Sequence, residues 1–155
     1  QAATMQKKGA SAAGNHRLTD LGAALGRAQL RRLDAIVDAR RARATELREG
    51  LAELPLELQR EHGASNAQTF GVVPIGKAGA GEALIAALRA RGIQAGRLSY
   101  DLTGLPSLAG ARGEAPVAGR LAREGVALPL HAELRPEDTA RVCEALRGAH
   151  AEGVW

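Results

Sequence analysis

From Thr19 to Leu54 the chain runs without a proline and repeats its leucines at helical spacing. Leu21, Leu25 and Ala28 recur at that spacing, as do Leu30, Leu33 and Val37, and the pattern continues through Leu47, Leu51 and Leu54 until Pro55 stops it. The spacing predicts one long helix, or two helices with a bend near Asp34. Thr19 is placed to cap the start, and Asp20 falls in the first turn, where a negative charge suits the helix dipole.

The rest of the chain alternates short strands and helices. Gln59 to Gln68 is a polar connection, and Thr69 to Ile75 is a predicted strand, with Pro74 pointing to a sheet edge or a strand end. A Gly-rich loop from Gly76 to Gly81 precedes a helix over Glu82–Arg91, with Leu84, Ile85 and Leu88 facing inward and Gly92 ending it. A second strand is expected over Ile93–Leu98. Residues 99–114 hold Gly, Pro and Ser and form a long loop of the kind that carries function. Ala115–Arg123 is a short helix and Gly125–Leu130 a third strand. Pro136 at a first helical position, followed by Glu137 and Asp138, opens a last helix to about His150, with Val142, Cys143 and Leu146 inward. The order implies an α/β (α+β) fold: a small open sheet covered by helices, with a long N-terminal helical arm. The expected divisions are an irregular segment over 1–18, a linking helix or helix pair over 19–54, and a small domain over 55–155.

Composition narrows the class. The chain has 155 residues, 45% of them hydrophobic, which suits one globular domain and argues against disorder. Only Phe70, Tyr100 and Trp155 are aromatic, so the core must be aliphatic. One cysteine, Cys143, forbids an internal disulfide and fits a reducing, cytoplasmic compartment. No apolar run approaches the roughly 20 residues of a membrane span, so no membrane partner is expected. The first residue is Gln1, as in a fragment or a cut domain.

The net charge of +4 raises the question of an anionic partner. Arginines crowd the segment from Arg27 to Arg48, but Asp34, Asp38, Glu46 and Glu49 are interleaved with them and no aromatic side chain is available for stacking. A solvated, ion-paired helix face is the simpler account, and no nucleic-acid partner is expected.

Most local patterns with a chemical meaning fail on inspection. Gly71 to Ala78 nearly matches a phosphate-binding loop, but its middle is strand-like and Ala78 stands where a hydroxyl would hold magnesium. The four histidines show no metal-ligand spacing, so no metal site is expected. His131 follows Leu128-Pro129-Leu130 at a strand end, a position where sites often sit. Lys7, Lys8 and Lys77 are the only lysines, and all fall in polar or glycine-flanked stretches unsuited to a Schiff base. Asn15 and Arg17 are more promising. An amide and a forked guanidinium placed just before a helix start can grip an anion.

These residues also carry a resemblance. Gly14-Asn15-His16-Arg17-Leu18-Thr19-Asp20, followed by Ala23-Ala24-Leu25-Gly26 and by Gln29-Leu30 with Leu33-Asp34, resembles the DegT/DnrJ/EryC1/StrS sugar aminotransferases, which use pyridoxal phosphate (PLP). The similarity extends to about Leu146 through the strand Phe70–Ile75, the helix leading to Gly92-Ile93, the Leu128-Pro129-Leu130 strand and Leu134–Asp138. It implies the small domain of a type I PLP-dependent transferase, working as a homodimer. It further implies a reaction that moves an amino group, commonly from glutamate, to a nucleotide-linked keto-sugar.

By the resemblance, Asn15 reaches the cofactor phosphate of the partner subunit and Arg17 lies near cofactor or substrate. Tyr100 and His131 are weaker substrate-binding candidates. The resemblance places the Schiff-base lysine in an absent large domain, so no catalytic residue is expected in this chain and the isolated chain is expected to be inactive. There are departures: His16 stands where the family often has an aromatic, and Leu98-Ser99-Tyr100-Asp101-Leu102 replaces a His-Tyr-Pro substrate loop. The rival expectation is a non-catalytic binding or regulatory module built on the same fold.

Overall fold

The computed structural model describes residues 18–59, 69–102, 105 and 115–155. The chain divides into two compact units, Gln1–Asp34 and Ala35–Trp155.

The described part of the first unit is helix α1 (Asp20–Leu30) and the residues flanking it. The Thr19 hydroxyl accepts the Gly22 N–H at 3.1 Å, which satisfies one of the free donors at the helix start. No residue of α1 is buried. Leu18, Leu21 and Leu25, which share a helical stripe, are 76%, 73% and 59% exposed. A helix this short is marginal in water when nothing covers its apolar side. The expected bend is a break at Arg31 and Arg32, after which α2 (Leu33–Gly50) begins.

In the second unit α2 turns one side inward: Ala44, Leu47 and, just past the helix, Leu51 are buried at helical spacing. The expected helical pattern to Leu54 stops earlier, and a strand the sequence did not reveal follows Pro55: β1 (Leu56–Leu58). It pairs antiparallel with β2 (Phe70–Pro74), which pairs antiparallel with β4 (Val126–Leu128), and β4 pairs with β3 (Gly96–Arg97). The sheet order is therefore β1-β2-β4-β3. Pro74 ends an inner strand and does not mark an edge, because β2 has a neighbour on each side.

Between β2 and β4 lie α3 (Ala80–Ala90), β3 and α4 (Pro116–Glu124), and α5 (Pro136–Ala151) closes the unit. Gly92 takes a φ of 76°, where an L side chain is strained, and lets the Gly92 and Ile93 N–H groups turn back to Arg89 and Leu88. That turn uses up part of the segment expected as strand, so β3 keeps only two residues.

Alternation along the strands sorts the sheet into two faces. Leu56, Phe70, Val72, Val126 and Leu128 join one apolar cluster with Leu84 and Leu88 of α3 and Val142 and Leu146 of α5. Val72, Leu84, Leu88, Val126 and Leu146 are fully buried. Burying one such side chain contributes about 1.5–3 kcal/mol. Leu146→Ala should therefore cost about 2–5 kcal/mol, whereas Leu25→Ala should change stability by about 0.5 kcal/mol or less. Denaturant unfolding of the two variants checks this, and equal losses would contradict the assignment.

Helix α5 starts at Pro136, and the Arg135 N–H just before it donates to Asp138 Oδ2 at 3.0 Å. The Arg135 guanidinium bonds the same carboxylate at 3.3 Å and, with that backbone bond, holds the Asp138 carboxyl below its usual range. A carboxyl whose folded pKa is lowered adds stability above its unfolded value, and that stability is lost as pH falls through the folded value. Unfolding measured from just above pH 3.8 downward should thus steepen less for Asp138→Asn than for the wild type. Identical acid limbs would contradict this role.

Candidate functional site

The outer face of the sheet carries Glu57, Gly71 and Val73, and α4 runs beside it. Between them is a cavity of about 400 Å³. Its apolar walls come from Leu58, Val73, Leu98, Val117 and Leu121. Gly71 makes room for one of these walls: a Cβ there would stand 2.6 Å from both methyl carbons of Leu98. Leu98 in turn is pinned by its N–H, which donates to the Gly125 carbonyl at 3.0 Å.

The polar residues that line the cavity are Gln59, Thr69 and the ion pair of Glu57 and Arg120. Arg120 Nη1 and Nη2 donate to the two carboxylate oxygens of Glu57 at 3.0 and 3.3 Å. The hydrogen bond to Glu57 and then its charge raise the Arg120 pKa further above its already basic value. The pair joins β1 to α4 across 63 positions of sequence. Sequence reasoning missed both residues. Glu57 sits in a strand of three residues, and Arg120 is one arginine among many.

A second, shallower space of about 350 Å³ lies between α2 and α5, beside Glu46, Gly50, Thr139, Cys143 and Arg147. Its polar groups are engaged. The Thr139 hydroxyl donates to Glu46 Oε2 at 2.6 Å, and Arg147 Nη2 donates to the Gly50 carbonyl at 2.6 Å. Burial pushes the Cys143 thiol up, against the opposing charge of Arg147. This is the profile of a packed, unreactive cysteine.

The residues singled out in the sequence fall as follows. Asn15 and Arg17 lie outside the described residues. Tyr100 follows β3 and is 74% exposed, and His131 follows β4 and is exposed too. Neither lines the cavity. Lys77 is exposed, and its Nζ donates to the Val154 carbonyl at 3.5 Å. His150 packs against Trp155, their ring centroids 5.0 Å apart. The arginine-rich segment is ion-paired in part: Arg43 meets Glu46 at 2.7 Å and Arg41 meets Asp38 at 3.5 Å. Among the described residues no three or more His, Cys, Asp or Glu side chains cluster as a metal site would need. No helix among them is long and apolar enough to cross a membrane.

Gly71→Ala tests the packing around the cavity. The added methyl must push Leu98 aside, so the Leu98 methyl resonances should shift strongly and stability should fall by about 1–3 kcal/mol. Unmoved Leu98 signals would contradict the close approach.

Comparison with known proteins adds the following. The model of the DegT/DnrJ/EryC1/StrS aminotransferase family matches residues 1–147. No curated protein matches the chain. Among solved structures, the aminotransferase TlmJ from Streptoalloteichus hindustanus is 29% identical, with a TM-score of 0.79 over 94% of this chain and 40% of its own. The sugar aminotransferase CalS13 from Micromonospora echinospora is 22% identical, with a TM-score of 0.73 over 84% of this chain and 35% of its own. Spr1654 from Streptococcus pneumoniae, solved in a PLP form, is 20% identical, with a TM-score of 0.78 over 90% and 37%. The chain thus spans about two fifths of the length of these structures or less.

Proposed function

This chain belongs to the DegT/DnrJ/EryC1/StrS aminotransferase family, and from that premise we propose that it is the C-terminal part of a PLP-dependent sugar aminotransferase. In this reading the whole enzyme is a cytoplasmic homodimer that moves an amino group, commonly from glutamate, to a nucleotide-linked keto-sugar. The observation that carries the reading is the leucine stripe of α1. Leu21 and Leu25, with Leu18 just before the helix, stand open to solvent, and no residue of α1 is buried. An apolar stripe on a helix is stable when something covers it, and the family match with partial coverage of longer aminotransferases supports reading the cover as the rest of such an enzyme.

The described residues do not fit PLP on their own. Lys77 is their one lysine, and it is exposed in a turn, unlike the desolvated amine that a Schiff base uses. The cavity beside α4 offers one guanidinium, already held by Glu57, where a phosphate would need several donors. In our reading the described residues bind and position, and the chemical steps of the transfer fall to other residues. When bound, PLP supplies the electron sink that amino-group transfer needs, and in our reading the lysine that carries it belongs to residues outside this chain.

The part we assign to this chain is binding and positioning. Asn15 donates to the cofactor phosphate of the partner subunit, Arg17 holds cofactor or substrate, and Tyr100 and His131 stand toward substrate. Accordingly, the purified chain mixed with PLP and desalted should keep no stoichiometric cofactor and show no transamination of a keto-sugar nucleotide with glutamate. Stoichiometric PLP retained on Lys77, detected by mass spectrometry after borohydride reduction, would overturn the proposal.

A further inference from the structure

Helix α4 (Pro116–Glu124) is held differently along its length. At its C-terminal end backbone meets backbone. A Cβ on Gly81, in the first turn of α3, would stand 2.8 Å from the carbonyl oxygens of Arg123 and Glu124. The Gly125 N–H then closes the helix on the Leu121 carbonyl at 2.9 Å, and β4 starts at the next residue. That end has little room to shift.

The body of α4 is not keyed into the molecule. Its one buried residue is Gly119, which has no side chain. The Asp101 carboxylate lies against it, with Oδ2 3.3 Å from where a Cβ would stand, so this contact too uses no side chain of α4. By contrast α3 buries Leu84, Ile85 and Leu88, and α5 buries Val142, Cys143 and Leu146. Val117, near the N-terminal end of α4, is 65% exposed. A segment with few buried side chains sits at the low end of local stability.

A side-chain tie from α4 to the sheet is the two-pronged bond from Arg120 to Glu57 of β1, at 3.0 and 3.3 Å. Its partners are 40% and 48% exposed, so water and salt reach it. Such a pair holds weakly and is screened by salt. Beside α4 lies the cavity of about 400 Å³, and Val117, Arg120 and Leu121 of α4 help to line it. A helix fixed at one end, unkeyed along its body and tied by an exposed ion pair at a cavity has the parts of a hinged lid. We propose that α4 is such a lid: it pivots about Gly125 and the Gly81 contact, and the Glu57–Arg120 pair is the latch that holds it closed over the cavity. The motion does not depend on the aminotransferase reading.

The test is two distances measured by pulsed electron spin resonance on the full 155-residue chain, with its one thiol removed by Cys143→Ala. Nitroxides at Val117→Cys and Ala86→Cys report the body of α4 against the exposed side of α3. Nitroxides at Arg123→Cys and Ala86→Cys report the anchored end. Raising the salt from about 0.01 M to about 1 M shortens the Debye length from about 30 to about 3 Å. The distance between positions 117 and 86 should then spread toward a second, open value, while that between 123 and 86 stays single and in place. Arg120→Met should shift the open-to-closed ratio toward open by about fivefold at low salt, and should abolish the response to salt.

A 117–86 distance that stays single at high salt and in Arg120→Met overturns the proposal. So does equal movement of both pairs, since α4 would then unravel or leave as a whole with no hinge. If Arg120→Met fails to fold, the salt series decides. A rigid α4 leaves the proposed function standing, and PLP retention by the chain would overturn that function without bearing on the lid.

Discussion

The contact on which the larger unit depends is the one between the inner face of four short strands and the leucines of α3 and α5. Val72 and Val126 from the sheet meet Leu84, Leu88 and Leu146 from the helices in one cluster, and each is excluded from water. The strands are only two to five residues long. Backbone pairing alone would not hold a sheet so small. The aliphatic cluster fixes its register, because a slip by one residue would send Val72 and Val126 to the opposite face.

That arrangement leaves the outer face free to differ. There the chain places Gly71 and Val73 beside a single charged residue, Glu57, and brings α4 alongside. The Glu57–Arg120 pair is a long-range link between β1 and α4, and around it the packing is open enough to leave a cavity. The inner face thus explains the fold, and the outer face holds the cavity. The exposed leucines of α1 are a separate matter: they have no counterpart among the buried residues and ask for a covering surface.

Much of the fold could be read in the sequence, for identifiable reasons. The helix ends at Thr19, Gly92 and Pro136 follow from capping, left-handed backbone and proline preferences, and each acts locally. Phe70–Pro74 and Val126–Leu128 stand out because they are apolar runs between breakers. β1 did not stand out, since three residues after a proline are too few to show a period. The cavity was not legible either. Its ion pair joins positions far apart in the chain, and nothing in the neighbourhood of Glu57 or Arg120 distinguishes them from other surface charges. Conversely Asn15 and Arg17, conspicuous in the sequence, lie outside the described residues, so the role proposed for them rests on the resemblance of Gly14–Asp20 to the family.

The central claim is that this polypeptide works as the C-terminal part of a longer aminotransferase. Reading the coding sequence immediately upstream of Gln1 tests it most directly. The account predicts an in-frame extension that supplies a lysine for the cofactor and an aspartate for its pyridine nitrogen. A stop codon followed by a start at the first residues would contradict it and leave a half-protein with a binding role.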